Sequence, residues 1–323
     1  MKDQAEELRS LINNEKNKKS EINEQTVNEE IINEEIIKKA EPVNKETPPL
    51  NKENTENTKM ARVITIASGK GGVGKSNFVL NVAISMVTKG KKVCIIDADF
   101  GMANISVLVG KVSDKSLAKV LDETMKIDDV IEEGPGGVHI ISGGSGLLEL
   151  SSISEKNLSL LIEAFKKLDT LYDVILIDTG AGAGPYVTSL IKESTESIIV
   201  TTPEPTSIID AYSLIKIIQK LSSAPPKLYI AINRVESFDE GVSVYKKIET
   251  ISKKYTGLEL SLIGLIPEDE KLKKAVKSQV PLVTLYPNTI AAKNFIIIAS
   301  RVLEKDVVLN TSVGFLSRLK KTF

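Results

Sequence analysis

The sequence predicts an α/β fold with a doubly wound, mostly parallel sheet that carries helices on both faces. From about residue 60 onward, short apolar segments alternate with segments whose apolar residues recur at helical spacing. The apolar segments are rich in Val and Ile and show little polar alternation, which is typical of parallel strands buried on both faces. We therefore expect one sheet of about seven or eight strands.

The predicted strands, in chain order, are RVITIA, KKVCIID, GVHIIS, YDVILID, SIIVTT, KLYIAIN and LSLIGLI. Amphipathic patterns lie between them, for example SIIDAYSLIKIIQKL and AAKNFIIIASRVL, and these predict helices. Ligands of such sheets bind beyond the carboxyl ends of the strands. The residues that follow each strand are therefore the first candidates for a functional site.

A glycine-rich loop follows the first strand and precedes the first helical pattern. It reads G-K-G-G-V-G-K-S, a full match to the phosphate-binding pattern G-x-x-x-x-G-K-[ST]. Glycines let backbone N–H groups turn inward, and the helix start adds unpaired N–H groups. Lys75 can reach the β- and γ-phosphates of a nucleotide, and the Ser76 hydroxyl can ligate Mg²⁺. The nucleotide-binding residues predicted here are Gly69, Lys70, Gly71, Gly72, Val73, Gly74, Lys75, Ser76 and Asn77.

Acidic residues end two later strands. Asp97 and Asp99 follow KKVCII, and Asp178 ends YDVILI. Carboxylates at this edge can hold the magnesium of a bound nucleotide, so Ser76, Asp97 and Asp178 are the predicted metal site. Asp99 is assigned to orient the attacking water, and with Lys75 it belongs to the predicted catalytic residues.

Asn233 ends a further strand, and its carboxamide offers both a donor and an acceptor to a base edge. GTPases carry Asn-Lys-x-Asp at this place, whereas this chain has Glu236 where the aspartate would stand. We therefore favour adenine over guanine. Arg234, the next residue, and Pro267, which ends the last strand, are also assigned to nucleotide binding.

Composition disfavours several other classes of protein. The net charge of −1 gives no global field for nucleic acid, so we expect no nucleic-acid partner. One cysteine, Cys94, and one histidine, His139, leave no disulfide framework, Cys-x-x-Cys metal pair or His-based triad. The charged start is unlike a signal peptide, and no run of about 18 or more apolar residues appears. These features predict a cytoplasmic protein.

Lys70 is a second lysine that an ordinary phosphate loop does not need. K-G-G-V-G-K-S resembles the deviant loop of the MinD/ParA ATPases. That resemblance implies an ATP-dependent homodimer in which Lys70, a predicted catalytic residue, reaches the partner's nucleotide. The segments IDADFGMAN, ISGGSGLLEL and IDTGAGAG narrow the resemblance to the FlhG family, also called FleN or YlxH.

FlhG proteins are MinD-like ATPases that control flagellar number and placement. The resemblance covers about residues 60–323 and implies ATP and Mg²⁺ as cofactors, with slow ATP hydrolysis. It also implies flagellar switch (C-ring) proteins as partners. We predict an ATPase domain over residues 60–306.

The first 59 residues have a different pattern from the predicted ATPase domain. Residues 1–12 have a helical pattern, and residues 13–59 are rich in Asn, Glu and Lys without aromatics, which predicts a disordered linker. FlhG proteins carry a D-Q-A-x-x-L-R segment at the N-terminus, which docks on the SRP-type GTPase FlhF and stimulates its GTP hydrolysis. The resemblance implies that Gln4 is critical and that Leu8 is an anchor. The matching residues here are Asp3, Gln4, Ala5, Leu8 and Arg9.

Residues 307–323 predict an amphipathic helix. An apolar arc formed by Phe315, Leu316, Leu319 and Phe323 has the basic Arg318, Lys320 and Lys321 beside it. Such a helix can lie in a membrane interface against anionic lipid. It also resembles the membrane-targeting sequence of MinD and FlhG, and implies ATP-dependent association with the inner face of the plasma membrane. The alternative is a last helix packed on the domain, and both can hold in different nucleotide states.

Two other interpretations stay open. Within the fold, the alternative is a MinD-type ATPase that positions the septum. From a different class, the alternative is a nucleotide-gated scaffold with negligible turnover. The presence of both Lys70 and Asp99 favours hydrolysis. The tail and the N-terminal motif disfavour a DNA-segregating ParA-type protein, and the iron–sulfur relatives need cysteines that this chain lacks.

Overall fold

The structure is a computed structural model that describes residues 61–99, 104–111, 113–144, 155–194, 196–221 and 225–304. The predicted N-terminal helix, the linker and the amphipathic tail all lie outside these residues. The predicted partner-binding and membrane-binding residues that fall outside are Asp3, Gln4, Ala5, Leu8, Arg9, Phe315, Leu316, Arg318, Leu319, Lys320, Lys321 and Phe323.

Eight strands of the described chain form one sheet, in the order β3-β4-β2-β5-β1-β6-β7-β8. They are β1 (Arg62–Ser68), β2 (Val93–Ala98), β3 (Glu132–Glu133), β4 (His139–Ser142), β5 (Val174–Ala181), β6 (Glu196–Thr201), β7 (Lys227–Val235) and β8 (Leu260–Pro267). Every neighbouring pair is parallel except β3 with β4, which is antiparallel. The doubly wound, mostly parallel sheet is confirmed. The sequence did not predict β3, because two glutamates carry no strand pattern.

Helices connect the parallel strands. Over the described residues they are α1 (Lys75–Val87), α2 (Asn104–Leu108), α3 (Leu117–Leu121), α4 (Ile127–Val130), α5 (Glu155–Leu171), α6 (Pro185–Glu193), α7 (Pro205–Leu221), α8 (Phe238–Thr256), α9 (Glu270–Lys277), α10 (Leu282–Leu285) and α11 (Ile290–Glu304), with a 3-10 turn at Pro135–Gly137. Among them, none has both the length and the apolar content that a membrane span needs.

The two faces of the sheet bury separate apolar cores, because side chains alternate along each strand. Ile64 and Ile66 of β1 belong to the core that includes α1 and α11, whereas Val63 belongs to the core that includes α3 and α5. Phe78 of α1 and Phe295 of α11 meet edge to face with ring centroids 6.2 Å apart. Both faces of β1 are therefore covered, and the loop that follows it starts from a rigid support.

A buried ion pair holds the opposite, amino-terminal end of β1. The Arg62 guanidinium donates to Glu196 of β6, with Nε 2.5 Å from Oε2 and Nη2 2.8 Å from Oε1. The hydroxyl of Tyr229 on β7 donates to the same carboxylate at 3.2 Å. Three adjacent strands are thereby tied together in register. This network links residues more than a hundred positions apart, and no sequence pattern predicted it.

Candidate nucleotide-binding site

Sheet order brings the predicted site residues to one edge. β5 lies between β1 and β2, and the parallel register pairs Asp178 with Ile66 on one side and with Asp97 on the other. The loop that follows β1 and the carboxylates that end β2 and β5 therefore emerge side by side. This is the carboxyl edge of the sheet, where ligands of such folds bind.

The phosphate loop (residues 69–76) needs glycine at two points of close approach. Gly74, the residue before α1, has a left-handed φ of 92°, and a Cβ there would lie 2.4 Å from Asn233 Nδ2. A Cβ on Gly69 would lie 2.3 Å from the backbone carbonyl of Asp210 in α7. Any larger residue would push the loop away from β7 or α7. The loop is thus packed into the site rather than free above it.

Lys75 and Asp178 form a buried ion pair at the start of α1. Lys75 Nζ lies 2.6 Å from Asp178 Oδ1, and the two side chains are 7% and 0% exposed. Burial raises the pKa of Asp178, while the charge of Lys75 and hydrogen bonds from Lys75 and Ser76 oppose that rise. Asp178 Oδ2 is buried without a hydrogen-bond partner among the described residues. An unsatisfied carboxylate oxygen beside a hydroxyl is the oxygen donor set that Mg²⁺ accepts, so these residues fit the metal.

Asp97 is held by two backbone donors. Its Oδ1 accepts from the Asp99 N–H at 3.1 Å, and its Oδ2 accepts from the Ile105 N–H at 3.0 Å. Burial and the neighbouring charge of Asp178 together raise the pKa of Asp97 to about 7. The two carboxylates repel each other across β2 and β5, and a cation between them would relieve that repulsion.

Asp99 lies beside Gly180, near the carboxyl end of β5. Its Oδ2 accepts from Asn104 Nδ2 at 2.8 Å, and its Oδ1 lies 3.6 Å from where a Cβ on Gly180 would stand. Its role in orienting water remains a prediction. Asn104 is a contact that the sequence did not single out, although it lies inside the segment IDADFGMAN.

Lys70 is engaged within its own chain. Its Nζ lies 3.0 Å from Glu204 Oε2 and 3.0 Å from Thr206 Oγ1, both at the start of α7. The Lys70 side chain is 38% exposed and that of Glu204 is 57% exposed. Neither Glu204 nor Thr206 was predicted, because each lies more than 130 positions from Lys70.

Asn233 contacts the phosphate loop directly. Its Nδ2 donates to the Val73 carbonyl at 2.8 Å, so this donor already supports the loop. Its Oδ1 is buried and has no partner among the described residues, which leaves one acceptor for an exocyclic amine such as that of adenine. Arg234 is exposed with φ of 59°, and Pro267 pairs with Val235 at the end of β8. Base reading by Asn233 remains a prediction.

Asn77 lies in the first turn of α1, directly after the phosphate loop. Its carbonyl accepts a hydrogen bond from Asn81 Nδ2 at 2.8 Å, and Asn81 Oδ1 in turn accepts from the Val283 N–H at 3.0 Å. The start of α1 is therefore also tied to α10. This network steadies the helix whose first N–H groups are predicted to complete the phosphate cradle.

Residues 64–282 match the model of the CobQ/CobB/MinD/ParA nucleotide binding domain. The chain belongs to this family. Its resemblance to the FlhG branch is confirmed by two relatives. The antiactivator FleN of Pseudomonas aeruginosa is 34% identical over 75% of this chain and 86% of its own length. The flagellum site-determining protein YlxH of Helicobacter pylori is 35% identical over 81% of this chain and 88% of its own length.

A solved structure of the family supports the nature of the ligand. The septum site-determining protein MinD of Pyrococcus horikoshii, complexed with Mg-ADP, matches with a TM-score of 0.60 and 27% identity. The match covers 76% of this chain and 97% of that one. Family and fold together make the chain a MinD/ParA-type ATPase. The family and this solved structure support binding of a nucleotide with Mg²⁺ in general.

Proposed function

We propose that this ATPase is a dimerising, membrane-associating switch that controls the number or placement of flagella. The observation that carries the proposal is the site's pair of lysines. Lys75 is buried against Asp178, whereas Lys70 stands on the same loop, partly exposed, at the molecular surface. In this proposal Lys75 serves the subunit's own nucleotide, and Lys70 reaches the nucleotide of a second subunit. The YlxH relative, a flagellum site-determining protein, supports the choice of a flagellar process.

The residues of the site divide the work of ATP hydrolysis. Lys75, Ser76, Asp97 and Asp178 hold ATP and Mg²⁺, and Lys75 turns from Asp178 toward the phosphates. Mg²⁺ held by Ser76, Asp97 and Asp178 would neutralise negative charge that develops on the phosphates. Asp99 positions the attacking water in line with the leaving group, so catalysis rests on positioning and electrostatics. Asn233 offers its free oxygen to adenine.

Dimer formation couples this site to the membrane. Two subunits close face to face, each extending Lys70 toward the phosphates bound by the other. A single tail of residues 307–323 is short and binds lipid weakly, whereas two tails on one dimer gain from effective concentration. ATP therefore recruits the protein to anionic lipid, and hydrolysis releases it.

The N-terminal segment supplies a separate activity in this proposal. Gln4, anchored by Leu8, binds FlhF and stimulates its GTPase, independently of the nucleotide held by the ATPase domain. Flagellar switch (C-ring) proteins are the other expected partners. A peptide of residues 1–20 should raise the GTPase rate of FlhF, and the same peptide with Gln4→Ala should not. If the full-length chain stimulated the FlhF GTPase and the peptide did not, this part of the proposal would be wrong.

Size-exclusion chromatography and liposome sedimentation with ATP and Mg²⁺ test the switch. Lys75→Ala should lose nucleotide, dimer and membrane binding together. Asp99→Ala should keep ATP, accumulate as a dimer and stay on liposomes longer than wild type. Replacing both Phe315 and Leu316 by Asp should abolish liposome binding and leave ATP binding intact. If Asp99→Ala stays monomeric with ATP bound, the chain is a monomeric nucleotide-gated scaffold.

A MinD-type septum regulator is the second candidate, and the MinD structure bound to Mg-ADP supports it. A pull-down from the native cell, with ATP and with ADP, separates the two. Capture of FlhF and C-ring proteins supports the flagellar function. Capture of division-site proteins instead supports the septum function.

A further inference from the structure

We infer that Gln279 is a positioning residue for ATP hydrolysis, which acts through α2 on the carboxylates at the end of β2. The inference rests on the proposed function, in which Asp99 orients the attacking water. It adds a residue that lies just beyond α9, in a segment that carries no nucleotide-binding motif.

The amino-terminal end of α2 holds both carboxylates. The Ile105 N–H donates to Asp97 Oδ2 at 3.0 Å, and Asn104 Nδ2 donates to Asp99 Oδ2 at 2.8 Å. Ile105 is also buried in the core that includes α1. A movement of α2 therefore moves the donors that orient the side chains of Asp97 and Asp99.

Gln279 binds the opposite end of the same helix. Its Nε2 donates to the Val107 carbonyl at 2.9 Å. α2 ends there in a Schellman motif, in which the Lys111 N–H donates to the Ser106 carbonyl at 2.9 Å. The Gly110 N–H donates to the Val107 carbonyl at 3.2 Å, so that carbonyl accepts two hydrogen bonds. The side chain of Gln279 also lies against Gly110, where a Cβ would be 3.0 Å from Gln279 Oε1.

Gln279 itself adopts a backbone conformation that favours glycine. α9 also ends in a Schellman motif, since the Val280 N–H donates to the Ala275 carbonyl at 3.1 Å. Gln279 is the left-handed residue of this motif, with φ of 54°, and glycine is the usual residue at that position. Strained residues persist where the surrounding structure holds them, and they concentrate at functional sites. The hydrogen bond to α2 is the contact that a glycine could not make.

The segment that follows Gln279 is tied to the helix that follows the phosphate loop. The Val283 N–H of α10 donates to Asn81 Oδ1 in α1 at 3.0 Å. Asn81 is buried, and its Nδ2 donates to the Asn77 carbonyl at the start of α1. Gln279 therefore joins the α1 side of the site to α2, which holds the two carboxylates.

Steady-state ATP hydrolysis with Mg²⁺ measures what the carboxamide contributes. Gln279→Gly removes the carboxamide together with the backbone strain, whereas Gln279→Ala removes the carboxamide and keeps the strain. Both should lower kcat by about two- to tenfold, the effect of one lost hydrogen bond. The KM for ATP should change by less than about twofold, because the ion pair of Lys75 and the loop contact of Asn233 do not involve α2.

Thermal unfolding separates this role from a purely structural one. Gln279→Ala should unfold at a lower temperature than Gln279→Gly, because only glycine adopts the left-handed conformation without strain. Equal losses of kcat with unequal midpoints of unfolding would support the inference. If kcat followed stability instead, so that Gln279→Gly were as active as wild type, the inference would be overturned.

Two further variants test the donor and the backbone. Gln279→Glu keeps the shape but offers no donor to the carbonyls that end α2, so its kcat should be no higher than that of Gln279→Ala. A wild-type kcat in Gln279→Glu would contradict the inference. Glu123→Gly is the matched control, because Glu123 has φ of 61° just after α3 and is not a residue of the site. It should leave kcat unchanged.

A double-mutant cycle tests the route through α2. If Gln279 acts through the contact of Asn104 with Asp99, Gln279→Gly should lower kcat less in an Asn104→Ala background than in wild type. Multiplicative effects of the two substitutions would show that the two residues act independently, and would overturn the route.

The outcomes also separate the inference from the function on which it rests. If Asp99→Ala hydrolyses ATP like wild type, the role of Asp99 and the inference both fail. If Asp99→Ala is inactive while folded Gln279→Gly keeps the wild-type kcat, only the role of Gln279 is overturned. Sedimentation velocity with Mg²⁺ and a non-hydrolysable ATP analogue should show the same dimer in Gln279→Gly and wild type. Loss of that dimer would overturn action through α2, because Gln279 would then support the contact between subunits.

Discussion

Lys75 Nζ lies 2.6 Å from Oδ1 of Asp178, although the two residues are 103 positions apart in the chain. Both side chains are buried, so the charge of each is balanced mainly by the charge of the other. Removing one partner of such a pair leaves a charge in a low-dielectric interior, which destabilises a protein by roughly 3–5 kcal/mol. The pair is therefore a structural element of the fold as well as part of the site.

Lys75→Ala should lower the free energy of unfolding, and more so at high pH. Without the lysine, burial raises the pKa of Asp178 still further, and the protonated carboxyl is neutral at low pH. The loss should be roughly 3 kcal/mol near pH 8 and smaller near pH 5. Denaturant unfolding at both pH values measures it. Lys91→Ala, at an exposed position, should change stability little at either pH. An equal loss at both pH values would contradict the assignment to Asp178.

ATP binding in the presence of Mg²⁺ should weaken as the pH falls below about 7, because Asp97 has its pKa near that value and must lose its proton to accept a cation. The expected slope is up to about tenfold per pH unit. Titration of ATP affinity across neutral pH, with Mg²⁺ and with chelator, measures it. Asp97→Asn should bind ATP less tightly and flatten the dependence. If the ATP affinity of that variant still depended steeply on pH, a group other than Asp97 would be the one that titrates.

The raised pKa of Asp97 also predicts how stability varies with pH. The folded chain binds this proton more tightly than the unfolded chain, whose carboxyl titrates near 3.8. The contribution of Asp97 to stability is therefore present below the unfolded pKa and declines as pH rises toward about 7. Unfolding of wild type and Asp97→Asn over this range should show a steeper decline in wild type.

Gly74→Ala should weaken ATP binding. An alanine there must adopt a left-handed conformation, at a cost of about 1–2 kcal/mol. Its Cβ would also lie 2.4 Å from Asn233 Nδ2 and break the contact of Asn233 with the loop. Gly257→Ala is the matched control, since Gly257 has φ of 70° and a Cβ there would have no heavy atom within 4 Å beyond its chain neighbours. Both variants should lose stability, whereas only Gly74→Ala should lose ATP affinity, by about tenfold or more.

Asn233→Ala separates loop support from base reading. Loss of the hydrogen bond to Val73 should weaken ATP and GTP alike. Loss of the free carboxamide oxygen should, in addition, bring the ATP-to-GTP affinity ratio toward one. Binding of both nucleotides to wild type and variant measures the two effects. Equal weakening of ATP and GTP would restrict Asn233 to supporting the loop.

The strands of the central sheet could be predicted because of their burial. A parallel strand covered on both faces needs a mostly apolar segment rich in Val, Ile or Leu, and β1, β2 and β4 to β8 each carry one. β3 consists of two glutamates at the sheet edge and carries no such run. The ligand of the phosphate loop could be predicted because one short segment supplies glycines, lysine and hydroxyl at a fixed spacing.

Contacts between distant segments could not be predicted in this way. Asn233 was expected to face a base, yet its amide nitrogen bonds the Val73 carbonyl 160 positions away. No sequence motif marks Glu204 as a partner of Lys70, and none marks Asn104 as a partner of Asp99. A polar residue on a strand end or helix start has many possible partners, and the packing of the sheet selects one.

The sequence by itself determined the order of strand, phosphate loop and helix, and with it the binding of a nucleotide phosphate. The spacing of apolar residues and of glycines is a local property of the sequence. It can be recognised without knowing where the segment lies in the folded protein. The tertiary structure decided that β5 lies between β1 and β2, which brings Asp97 and Asp178 beside Lys75. It also decided that Lys70 is held by α7. Strand order depends on how the whole sheet buries both of its faces, and no single segment carries that information.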